Sequence, residues 1–184
     1  MCAATFRAAR EYPLSRSQKP TIYFGDAMKG DPAIIEALNE VLTAELTAIN
    51  QYFIHHKMLA NWGYDRMSAH KRKESIEEMG DADAVIDRIL YLDGIPNMQR
   101  LFPVMVGETL QEMHELDLQL ERTACERLNR AITLTRDAGD NGTRIMLEGI
   151  LSGEEHAVDW LEGQLEQIEQ MGIQNYLAEQ IRSE

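Results

Sequence analysis

"DGIPNMQRLFPVMV", residues 93–106, separates two long helical patterns and decides how they can pack. Asp93–Asn97 stops a helix, because glycine there favours a left-handed turn and proline has no N–H to continue the ladder. The rest of the stretch mixes polar and apolar residues and is too long for a tight antiparallel turn. It reads as a crossover running along a bundle.

Working outward, the chain reads as all-α, rich in Ala, Leu, Glu, Ile, Gln and Arg, with no convincing strand and no solenoid repeat. Before the crossover, Asp31-Pro32 is an N-cap followed by a proline at the first helical position, and "NWG" (Asn61–Gly63) is a stop. This predicts helices over about Pro32–Asn61 and Asp65–Leu92. After it, a third helix starts near Gly107 and runs to about Ala138, where "DAGDNG" turns the chain. A fourth spans Thr143–Met171, and a short fifth Asn175–Arg182. Four long helices with one long crossover between the second and third, plus a short fifth, make the ferritin-like form of the four-helix bundle.

With 184 residues the chain fits one domain. Its formal net charge of -13 argues against nucleic acid and anionic membrane as partners, since both bind basic surfaces. No apolar run is long enough for a transmembrane helix. Cys2 and Cys125 form neither a disulfide framework nor a thiolate zinc motif, which fits a reducing, cytoplasmic compartment. Residues 1–27 carry Arg7, Arg10, Arg16 and Lys19 with little periodicity and read as an N-terminal extension: a transit peptide, a flexible tail or the product of an upstream start.

The inward stripes carry acids where hydrocarbon is expected. Leu38, Leu42, Glu45, Ile49 and Tyr52 share a face of the first helix; Glu78, Asp81, Val85, Ile89 and Leu92 do so on the second. The third offers Leu110, Asp117, Glu121 and Leu128, and the fourth Leu147, Ile150, Glu154, Ala157, Leu161 and Leu165. A lone carboxylate in a core is neutralised or paired, because burying an uncompensated charge is expensive. Four that converge call for a cation, and oxygen ligands suit iron or manganese. Tyr52 and Trp160 lie near these stripes as core residues or electron relays. His55, His56, His70 and His114 show no ligand spacing and read as packing or hydrogen-bonding residues.

From Met28 to Glu184 the sequence resembles the bacterioferritins, through "MKGDP", "ELTAINQYFIHHKM", "NWG", "ESIEEM", "RILYLDGIPN", "EEHAVDWLE" and "MGIQNYLAEQI". The resemblance implies iron storage in a 24-subunit cage. It also implies a ferroxidase centre with one glutamate from each of two helices, here Glu45 and Glu121, and a Glu-x-x-His motif on each of the other two. Glu78 and Glu154 match those motifs, but Asp81 and Ala157 stand where the histidines belong. His156 is one residue early and so turned by about 100°. Asp81 replaces a neutral imidazole with another negative charge. The expectation is therefore a weak or absent centre; the alternative is a homomeric ferroxidase working through the altered ligands.

The resemblance further implies haem b on the subunit two-fold axis, with Met79 of each subunit as axial ligand. Arg72, Ile76 and Asp83 share its face, and Leu46, Asn50 and Phe53 match it on the first helix. Two thioether ligands favour ferrous haem, which suits electron delivery to a ferric mineral. Partners implied are further copies or a ferroxidase-competent subunit in a mixed cage, and a ferredoxin-type reductant.

Overall fold

The structure is a computed structural model that describes residues 30–181. The extension over residues 1–27, the domain start at Met28 and the expected helix end at Arg182 lie outside the described residues.

Five helices follow one another: α1 (Pro32–Trp62), α2 (Asp65–Tyr91), α3 (Leu110–Asp137), α4 (Asn141–Met171) and α5 (Ile173–Gln180), with no strand among the described residues. The start of α1 is as expected, with the Asp31 side chain accepting from Ala33 N–H and Pro32 in the first turn. It stops at Gly63, whose φ of 81° is the left-handed cap that a side chain would disfavour.

Three helix starts differ from the sequence reading, each for a local reason, and the fifth helix ends at Gln180, short of the expected Arg182. The third helix begins at Leu110 rather than near Gly107, because Gly107 N–H is taken by His55 Nε2 (3.1 Å) and Thr109 caps Glu112 N–H. The fourth begins two residues early, at Asn141, because Asp140 caps Thr143 N–H at 3.0 Å. The fifth restarts at Ile173, because Gly172 (φ 79°) reverses the chain within one residue.

The crossover is held by a polar row on α1. Asn97 N–H donates to Asn39 Oδ1 (2.7 Å), Phe102 N–H to Thr47 Oγ1 (3.0 Å), Met105 N–H to Gln51 Oε1 (3.0 Å), and Gly107 N–H to His55 Nε2 (3.1 Å). The acceptors rise along α1 as the donors advance, so the crossover runs parallel to α1. Helices α1 and α4 therefore point one way, α2 and α3 the other. An extended segment has no ladder of its own, and these side chains satisfy the N–H groups it would otherwise leave unpaired.

Along the bundle axis the core alternates. One apolar cluster gathers Leu38, Leu42, Val85, Ile89, Leu128 and Leu147; a second, nearer α5, gathers Leu59, Met67, Leu110, Met113, Ile168 and Tyr176. Each fully buried Leu or Ile contributes roughly 1.5–3 kcal/mol relative to exposure. Between the clusters lie two polar layers, one of glutamates and one built on Asp117.

Candidate metal centre

Each helix of the bundle delivers one glutamate to the same level, and Glu45, Glu78, Glu121 and Glu154 are all buried. Their carboxylates form two groups that share a member. Oxygens of Glu45, Glu78 and Asp81 lie within 4.8 Å of one another, as do those of Glu78, Glu121 and Glu154. Tyr52 donates its hydroxyl to Glu121 Oε1. Glu45 Oε1, Glu78 Oε2 and Glu121 Oε2 are buried and have no hydrogen-bond partner.

This arrangement is uncomfortable without a cation. Burial pushes the Glu45 carboxyl up to about 8. Glu78 and Glu154 are pushed well above the usual carboxylate range by burial and then by the negative charge of Glu121. Burial also raises Glu121, although hydrogen bonds from Glu154 and Tyr52 oppose it. Asp81, about half withdrawn from water, is raised by burial and by Glu77. Partnerless buried oxygens and like charges at close range are what a bound divalent ion relieves, so the donor set fits one ion in each group with Glu78 between them.

The sequence-derived ligands are thus brought together, with one exception. His156 is exposed, belongs to neither group, and turns its Nδ1 back to the Ser152 carbonyl of its own helix. Because α4 is regular α-helix here, nothing rotates His156 back into register. The Glu78–Glu121–Glu154 group accordingly contains no nitrogen ligand, and Asp81 supplies oxygen to the other group where the family motif places imidazole.

One layer closer to α5 lies a network that the sequence reading passed over. Lys71 is fully buried, with Nζ 2.7 Å from Asp117 Oδ2, 5.0 Å above the Tyr52 ring and 5.4 Å above the Trp160 ring. Asp117 also accepts from Gln51 Nε2 (2.8 Å), and His55 Nδ1 stands 3.0 Å from Oδ1. Since Gly107 N–H donates to Nε2 of His55, the proton of that imidazole sits on Nδ1. Lys71 and these hydrogen bonds outweigh burial and hold Asp117 well below the usual carboxylate range. Spacing carried the signal: Lys71 is two turns before Glu78 on the inward face of α2, and Asp117 one turn before Glu121 on α3.

The histidines read as structural behave so in part. His114 Nε2 lies 3.1 Å from the Tyr176 hydroxyl, and His56 Nδ1 lies 2.9 Å from Ser68 Oγ. His70 stacks on Trp160 with ring centroids 3.7 Å apart.

Met79 follows the inward Glu78 by one residue and so lies on a flanking face of α2, about 100° round the helix. It is 55% exposed, beside Ile76 (54%), and Phe53 of α1 is also 54% exposed. Apolar side chains left open to this extent on α1 and α2 form a surface that a flat apolar ligand could cover. The residues present therefore fit a haem held by Met79, with Arg72 and Asp83 exposed along the same face.

No helix among the described residues is long and apolar enough to cross a membrane. The family model for the ferritin-like domain matches residues 35–171. A bacterioferritin of Mycolicibacterium paratuberculosis is 49% identical over 152 residues, covering 83% of this chain and 96% of the relative. A Streptomyces coelicolor bacterioferritin is 48% identical over 151 residues, 82% of this chain and 90% of the relative. A Brucella melitensis bacterioferritin is 38% identical over 149 residues, 81% and 92% respectively.

Proposed function

The chain belongs to the bacterioferritin family, and from that premise we propose that it is an iron-storage cage subunit that carries haem through Met79 and oxidises iron weakly by itself. The observation that carries this reading is the all-oxygen ligand layer. The carboxylates can gather and hold ferrous iron as substrate, but no imidazole supports them. Imidazole suits iron, and neutral nitrogen donors also limit the negative charge crowded around two ions. Without them the ions are held less firmly at the spacing that reaction with oxygen requires.

Division of labour follows. Oxidation falls to a ferroxidase-competent subunit in a mixed 24-subunit cage, while this subunit supplies shell, acidic lining and haem. The exposed apolar face around Met79 supports placing the haem between two copies. Haem b supplies one-electron transfer when bound. The chain's own part is to present a neutral thioether with apolar flanks from Ile76 and Phe53. A ferredoxin-type reductant fits as the electron source for releasing stored iron.

The test is to mix metal-free, purified protein with ferrous iron in air and follow oxidation optically, beside an Asp81→His/Ala157→His variant. Slow oxidation by the natural chain is expected, with the double variant at least about tenfold faster, since even residues that only support metal ligands are worth 10–100-fold. Fast oxidation by the natural chain, saturating at two irons per subunit, would establish the alternative of a homomeric ferroxidase.

A further inference from the structure

Between α2 and α4 a cavity of about 540 Å³ opens from solvent towards the glutamate layer. Its α4 wall, which also includes Glu154, His156 and Trp160, carries Gly149, Gly153 and Ala157 one helical turn apart, and a Cβ placed on either glycine would meet nothing within 4 Å. The missing side chains leave the flank of the metal centre open. The α2 wall presents His70, Glu74 and Glu78, again one turn apart. Glu78 Oε2 at the inner end is buried and partnerless.

His70 and Glu74 are neither in the glutamate layer nor out on the surface. Their side chains are 26% and 14% exposed, and His70 Nε2 stands 3.6 Å from Glu74 Oε1. That separation is too long for a good hydrogen bond. It matches the bite of a shared ion: bonds of roughly 2.0–2.1 Å to nitrogen and 2.0–2.2 Å to oxygen, opened by about 110–120°, set the donors about 3.4–3.6 Å apart.

We propose that His70 and Glu74 form a separate station for a divalent transition-metal ion on the lateral approach to Glu78, with water completing its shell. The nitrogen donor that the buried layer lacks thus stands on the way in. Stacking on Trp160 fixes the imidazole plane. Burial and then Lys71 push the His70 ring down to about 3, so that it is a neutral donor at physiological pH. The two nearby ammonium groups are both spoken for: Lys71 lies 2.7 Å from Asp117 Oδ2 and Lys73 lies 2.8 Å from Glu77 Oε1. An ion here meets the open edge of the carboxylate field before it meets the buried acids.

Crystals of the metal-free assembled protein soaked in zinc, with data collected across the zinc absorption edge, test the station directly. The expected result is an anomalous peak about 2.1 Å from His70 Nε2 and from one Glu74 oxygen, lost in Glu74→Gln and in His70→Gln. Glu74→Gln keeps the shape of the side chain and leaves the stacked imidazole in place, so loss of the peak there reports ligation rather than misfolding. A peak among the buried glutamates with none at His70 would overturn the station and leave the storage reading standing. Absence of zinc from both places would likewise overturn the station, and a peak that persists in either variant would refute the assignment.

Discussion

Two buried polar layers sit one above the other in this bundle, and their carboxylates behave oppositely. Asp117 has an ammonium, an imidazole and an amide aimed at it and stays ionised. The glutamates a turn away have chiefly one another and Tyr52, and burial raises them. The same functional group is structural where the chain supplies the counter-charge and is left open to a cation where it does not. Buried acids in a core thus identify a cation site only after their protein partners have been counted.

The sharpest way to break this comparison is to remove one carboxylate from each layer. Asp117→Ala strands the Lys71 ammonium in the core and is expected to destabilise the metal-free protein by about 3–5 kcal/mol, the usual cost of breaking a buried pair. Glu121→Gln, which removes a like charge, is expected to leave stability unchanged or raise it. Denaturant unfolding of the two variants at one protein concentration decides the matter, and a loss in Glu121→Gln as large as that in Asp117→Ala would erase the distinction.

A smaller effect separates the layers by pH. Asp117 has its folded-state value depressed, so its contribution is present above the unfolded value of 3.8 and is lost as pH falls below it. Glu45 is raised from 4.5 to about 8, so between those values the folded state keeps a proton that the unfolded chain has released. Its burial therefore costs progressively more as pH rises through that window. The metal-free protein is expected to lose thermal stability from about pH 5 to pH 8, and saturating manganese(II) should flatten that slope. A Tm that climbs over the same range without metal would contradict it.

The smallest effect on the fold is expected on the exposed flank of α2 that carries Met79. Met79→Ala trims an exposed side chain and should change stability by no more than about 0.5 kcal/mol. It should nevertheless abolish the Soret absorbance of protein reconstituted with haem. A Soret band of unchanged intensity and position would remove Met79 as the ligand.

Much of the fold was legible because its signals are local. Asp31-Pro32, Gly63, the Asp93–Asn97 break and the Asp140 turn act within a few residues, and apolar spacing placed Glu45, Glu78, Glu121 and Glu154 inward, where the structure has them. The helix starts that shifted were those where a capping side chain or a positive-φ glycine competes with periodicity, as Thr109, Asp140 and Gly172 do. Lys71 escaped notice because a lysine on a helix usually reaches water, and only a partner on another helix makes its burial tolerable. That partner, Asp117, is 46 positions away in the chain (117 − 71).

By itself, then, the sequence determined the all-α bundle, the crossover, the four inward glutamates and the replacement of two expected imidazoles by Asp81 and Ala157. The first three follow from residue identity and helical spacing; that imidazoles belong where Asp81 and Ala157 stand is what the resemblance to the bacterioferritins implies. Only the tertiary structure decided that Glu78 is shared by two carboxylate groups, that His156 points away from them, and that the Gly149–Gly153–Ala157 wall leaves a side entrance faced by His70 and Glu74. Those facts depend on distances between side chains of different helices, and spacing along one helix cannot supply them.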